Sequence, residues 1–257
     1  MRSTALCALA LTLGFAQSAM AQEKPASPPW SAPATVETIT EARRFTSNGV
    51  ELGGTLHLPR SRKPVAAVVV THSASSPLGD ASLYEHLKTV LPALGIAVFT
   101  YDRRGSGRSG TKTAGGDYTV LADDAIAAVR SLKSDPRIDP RRIGTWGLSQ
   151  GGWISPLAAS RSPEIAFVIA VSAPVVTADV QMIFSSINHL RANGHSQAEI
   201  DEMVATRKAV DTYMRGTGTR EAAQAMIDVA KTRPWFKYTY MGETIRDRAV
   251  SGWRKEI

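Results

Sequence analysis

Cysteine is almost missing from this chain: Cys7 is the only one among 257 residues. It falls in the N-terminal stretch read below as a removable leader, so the rest of the chain holds no disulfide, thiol nucleophile or cysteine-bound metal. Beyond that leader no apolar run reaches the ~20 residues that a bilayer crossing demands, which excludes a stable membrane span. Aromatic residues are sparse, at 7%, and are not interleaved with basic ones. The 30 Lys and Arg are scattered among 23 Asp and Glu. The formal net charge of +7 therefore speaks for solubility and not for a nucleic-acid partner. Internal repeats are lacking as well, and no metal or organic cofactor is expected.

What is present begins with Met1 to Ala21: one early charge at Arg2, an apolar run from Ala5 to Ala16, and the small-residue ending Ala19-Met20-Ala21. This reads as a secretory signal peptide cut before Gln22, and places the protein in a periplasm or outside the cell. Residues 22–35, with Pro25, Pro28, Pro29 and Pro33 among small residues, read as an extended tether.

From Val36 the pattern is that of a folded domain. Val36 to Thr46 and Val50 to Leu58 read as strands joined by Asn48-Gly49, a strong hairpin signal. Leu52, Leu56 and Leu58 share one face, which leaves His57 on a face expected to be solvated. Pro64 to Thr71 is a nearly continuous β-branched run, as in a strand covered on both sides, and it delivers His72-Ser73-Ala74-Ser75-Ser76-Pro77. A helix with Leu83, Leu87, Val90, Leu91 and Leu94 follows, opened by Asp80 and stopped by Gly95.

Ile96 to Tyr101 is the next strand, and Tyr118 to Lys133 the next helix, with Asp123 and Asp124 suited to its positive first turn. Pro136 and Pro140 bound the loop before another strand, and Ile165 to Val171 reads as one more buried strand. Alternating strands and helices give an α/β fold over 36–174: a mostly parallel, right-handed sheet preceded by an antiparallel hairpin. Residues 175–257 read as helices alone. Val180, Ile183, Phe184, Ile187 and Leu190 form a stripe, Ser196-x-x-Glu199 is a capping box, and Glu221 to Lys231 is a third helix. A helical insertion after a sheet strand suits a lid.

The stretch with chemistry in it is Gly147-Leu148-Ser149-Gln150-Gly151. It follows the apolar run Arg142 to Trp146 and precedes a helical segment, the context of a G-x-S-x-G nucleophile elbow. A serine at the tip of so sharp a turn needs strained dihedrals, and Gly147 and Gly151 let strand and helix approach closely. Ser149 is the candidate nucleophile. The amide of Gln150, at a helix N-terminus, is a candidate oxyanion donor.

Together the hairpin from Asn48 to Pro59, the His72 loop, Tyr101-Asp102-Arg103-Arg104-Gly105-x-Gly107-x-Ser109, Leu121-Ala122-Asp123-Asp124 and Gly147 to Trp153 resemble the α/β-hydrolase family. The similarity is greatest to bacterial exported esterases and to serine-aminopeptidase-like or prolyl-oligopeptidase-like hydrolases. The resemblance implies an acyl-enzyme mechanism on Ser149 with a small ester or short peptide as substrate. It also implies a second oxyanion amide from the His72 loop, by position that of Ala74, next to Ser73 where the family usually carries glycine. His72, Ser73 and Asp102 are implied to support these loops.

A second absence concerns the proton. In this fold the nucleophile is followed by an acid and then a histidine, each on a loop after a later strand. After Ser149 the chain offers only His189 and His195, both in the helical part. Three readings are open: a truncated chain whose C-terminal strands, acid and histidine lie elsewhere; a non-catalytic relative that holds a ligand; or a substitute pair of Asp179 with His189 or His195.

Overall fold

The computed structural model describes residues 36–110, 117–173 and 176–245. The expected leader and tether, and residues 246–257, lie outside the described residues. Asn48 and Gly49 both take left-handed dihedrals, with φ of 47° and 75°, as a tight hairpin turn requires. That turn sets the register of β1 (Thr38–Ser47) against β2 (Val50–Pro59), from Ser47 opposite Val50 to Thr38 opposite Pro59.

β2 runs antiparallel to β4 (Ile96–Tyr101). Beyond it β4, β3 (Val65–Thr71), β5 (Ile138–Leu148) and β6 (Val168–Val171) are parallel neighbours. The six-stranded order is β1-β2-β4-β3-β5-β6, a mostly parallel sheet entered through an antiparallel hairpin, which is the expected fold class. Strand β3 shows why a continuous apolar run was needed. Val65, Ala67 and Val69 join the core beneath α2 (Tyr118–Lys133) and α3 (Gly151–Arg161). Val68 and Val70 join the opposite core with Tyr84 and with Leu87 of α1 (Glu85–Ala93).

The helical part comprises α4 (Ala178–Ala192), α5 (Gln197–Arg215) and α6 (Arg220–Ala230). It buries two clusters of its own, one around Leu190, Ile200, Met203 and Trp235, the other around Tyr213, Met214 and Ile227. Ser196 and Glu199 form the expected capping box at the start of α5, and Gly216 closes that helix in the left-handed conformation.

Several local expectations are corrected. The strand expected over Ile165 to Val171 shortens to β6 and is not buried: it is the last strand in the order, and Ile169 is 39% exposed. Pro140 lies inside β5. The pairing with β3 jumps from Val65–Ile138 to Ala67–Ile143, and the irregular stretch between needs no ladder N–H from proline. His57 is half-buried; burial, then the Lys88 charge of α1, lowers its pKa.

Asp80 does not open α1, which grows instead from a 3-10 turn over Ser82–Tyr84. The α2 cap is Asp117, whose carboxylate accepts from the Thr119 and Val120 amides. Asp123 pairs with Arg161. Asp124 is fully buried and takes the Arg104 guanidinium through both oxygens; the helix start has no claim on it.

Candidate active site

Ser149 sits between β5 and α3 with φ of 55°, a left-handed conformation that costs on the order of 1–3 kcal/mol for a residue with a side chain. The elbow is possible because its neighbours are glycine. A Cβ on Gly147 would stand 2.0 Å from the Gly151 carbonyl oxygen, and one on Gly152 would stand 2.5 Å from the Ala173 Cβ. Thr71, at the end of β3, stabilises the turn from within. Its hydroxyl lies 3.2 Å from Trp146 O, 3.1 Å from Gly151 O and 2.9 Å from Ser155 Oγ. The result is an exposed Ser149 on a buried base of Gly147, Gly151 and Gly152.

The backbone is then fixed on both sides of the serine. Ser149 N–H donates to Val171 O at 3.1 Å, and Ser149 O accepts from Gly152 N–H at 2.8 Å. Gln150 caps α3. Its N–H has no hydrogen-bond partner among the described residues, and it lies at the positive end of the helix dipole.

The loop after β3 supplies the facing wall. His72 is buried, and its Nε2 lies 2.5 Å from Tyr101 O. A carbonyl only accepts, so Nε2 carries the proton and the ring is held as that tautomer. Burial lowers the pKa of His72 to about 4 against the opposing pull of the Tyr101 bond, which keeps the ring neutral at pH 7. Its free proton is spent on the backbone, so His72 orients the loop. Ser73 N–H donates to Tyr84 Oη at 2.9 Å, and that hydroxyl donates to Ser76 O at 2.8 Å. Ala74 follows, exposed, with an N–H that has no hydrogen-bond partner among the described residues.

Asp102 knits the neighbouring loop. Oδ1 accepts from Gly79 N–H at 2.9 Å, and Oδ2 from Arg108 N–H at 2.8 Å and Arg108 Nε at 2.9 Å. Burial pushes its pKa up, but these Arg108 and Gly79 bonds outweigh it and hold the carboxyl below its ordinary value. Gly107 is required there, since its Cβ would stand 2.5 Å from Asp102 Oδ2.

Arg103 is a residue that the sequence did not single out. Its Nη2 donates to Ser73 O at 3.1 Å and to Gln150 Oε1 at 2.8 Å, so one nitrogen ties the His72 loop to the elbow. The only signal for it was a second basic residue in Asp102-Arg103-Arg104; its destination depends on a residue 47 positions away.

The substitute pair is not assembled. Asp179 is engaged by Thr177 and Arg215. His189 packs against the Tyr240 ring, and His195 binds Glu199 and packs against Tyr238. None of the histidines is hydrogen-bonded to Ser149. Among the described residues no group of three His, Cys, Asp or Glu could hold a metal ion, and no helix is long and apolar enough to cross a membrane.

Comparison with known proteins agrees with the fold. The family model for serine aminopeptidase, S33, matches residues 62–231. A thiohydrolase from Arthrinium phaeospermum is 33% identical over 132 residues, which cover 51% of this chain and 42% of the relative. The human monoglyceride lipase is 28% identical over 159 residues, covering 58% of this chain and 51% of that protein. The chain thus matches about half the length of these curated relatives. Among solved structures, an esterase of Pyrococcus furiosus superposes with a TM-score of 0.50 at 24% identity, covering 60% of this chain and 57% of the esterase.

Proposed function

Because this chain belongs to the serine aminopeptidase S33 family of α/β hydrolases, we propose that it is a serine hydrolase that cleaves a small carboxylic ester through Ser149. The observation that carries this reading is an exposed, left-handed Ser149 followed by Gln150, whose amide, like that of Ala74 in the loop that Arg103 ties to the elbow, makes no hydrogen bond among the described residues. Ser149 Oγ adds to the ester carbonyl carbon, and the carbonyl π pair moves to oxygen. The two amides are the donors for that oxyanion. Collapse re-forms the carbonyl and breaks the bond to the alcohol, which takes up the proton that the Ser149 hydroxyl gave up on attack. Water then releases the acid by the same route.

The likeness to proteins named thiohydrolase and monoglyceride lipase supports acyl hydrolysis. The family description favours a second reading, cleavage of a short peptide amide, and a non-catalytic ligand holder is the third. The test is a panel of short acyl p-nitrophenyl esters and aminoacyl anilides, run on the protein as its natural host makes it and on Ser149→Ala. Ester turnover lost in Ser149→Ala supports the proposal. Turnover of anilides alone shifts the reading to a peptidase, and ester turnover that survives Ser149→Ala overturns the assignment of the nucleophile.

A further inference from the structure

Two adjacent arginines meet opposite electrostatic fates. Arg104 and Arg103 are both about nine-tenths buried. Arg104 is neutralised by the Asp124 carboxylate. Arg103 has no carboxylate partner among the described residues, and its Nε is buried without any hydrogen-bond acceptor. Burial lowers its pKa. A guanidinium keeps its proton even so. Burying an unpaired cation opposes folding, so its retention calls for another explanation.

The contacts supply one. Nη2 donates to Gln150 Oε1 and to Ser73 O, with His72 O a longer contact at 3.5 Å on the same loop. Ser73 directly precedes Ala74, and Gln150 carries the other candidate amide. The same nitrogen therefore spans the two arms of the oxyanion hole, one at the end of β3 and one at the end of β5. His72, between Arg103 and Tyr101, stays neutral and adds no competing charge. The Arg103 side chain itself is buried, so its positive charge beside these amides is screened less than a surface charge would be as negative charge develops.

We propose that Arg103 is the positioning residue of the oxyanion hole: it clamps the Ala74 and Gln150 amides at a fixed separation and lends its unpaired charge to the tetrahedral intermediate. The inference rests on the hydrolase reading of Ser149. A misplacement of either donor by about 1 Å, or loss of one donor, costs on the order of a hundredfold in rate.

The experiment compares wild type with Arg103→Met, Arg103→Lys and Gln150→Leu. It reads the rate at which a fluorophosphonate labels Ser149, kcat and KM on an ester substrate, and the thermal midpoint. Arg103→Met is expected to lose about a hundredfold in labelling rate and kcat, with KM within about twofold and a midpoint no lower than wild type. Arg103→Lys, which keeps the charge, recovers part of that loss. A residue of purely structural importance would instead lower the midpoint and leave the labelling of folded protein unchanged.

Folded Arg103→Met that labels at the wild-type rate overturns the inference alone. Wild type that does not label overturns the hydrolase reading and this inference with it. If Arg103→Met does not fold, Gln150→Leu carries the test, since it removes one end of the clamp; wild-type labelling by that variant overturns the clamp.

Discussion

The backbone oxygen of Thr71 stands 2.6 Å from the point that a Cβ on Gly151 would occupy, and its hydroxyl stands 2.8 Å from that point. Strand β3 and the start of α3 meet through that missing methyl group, so the His72 loop and the nucleophile elbow share one rigid seam. Gly151→Ala must push the helix away from the strand. We expect a loss of about 1–3 kcal/mol in urea unfolding and a fall in the labelling of Ser149 that exceeds what the fraction folded accounts for.

His72 gives the fold a pH dependence of known sign. Its pKa falls from 6.5 to about 4 through burial, so below pH 6.5 the unfolded chain takes up a proton that the native ring refuses. Stability is fully present above about pH 6.5 and declines as the pH falls toward 4, by about 3 kcal/mol for this residue. His72→Gln keeps a donor for Tyr101 O and removes the titration. Urea midpoints measured between pH 7 and pH 4.5 should decline less in the variant; equal slopes would refute the assignment.

The Arg104–Asp124 pair is closed on both sides, with Asp124 fully buried and both its oxygens bonded to the guanidinium. Asp124→Asn leaves the Arg104 charge buried without its counter-charge, and is expected to cost about 3–5 kcal/mol. Replacing both residues by leucine should cost less than the single change. Chemical denaturation of the three proteins decides the order.

The parts of this molecule that were legible in the sequence are those set by neighbours along the chain. Asn48-Gly49 specified a left-handed turn, the run from Tyr118 to Lys133 specified a helix with the observed limits, and Gly147-x-Ser149-x-Gly151 specified the elbow. Long-range partners were not legible. Asp124 looked like a first-turn acid until Arg104 was seen beside it, and Arg103 had no assigned role until Gln150 was placed within 2.8 Å of it. The apolar composition of β6 suggested burial, although its position in the strand order leaves Ile169 exposed.

That exposure has a measurable consequence. β6 and the residue before it present Phe167 at 36% and Ile169 at 39% exposure, and the stretch from Ile165 to Ala173 carries no charge. Among the described residues β6 is an edge strand, and uncharged edge strands invite pairing with another chain. Sedimentation velocity over a concentration series should show association that Ile169→Lys reduces; identical behaviour of the two proteins would contradict this reading of the edge.

The most direct test of the account is the site of covalent labelling. The protein as its natural host makes it is treated with a fluorophosphonate, digested, and the adduct mapped by tandem mass spectrometry. The prediction is a single phosphonyl group on Ser149, absent when Ser149→Ala is treated in parallel. A folded protein that carries no label, or carries it on another residue, would contradict the claim that this elbow is a working nucleophile.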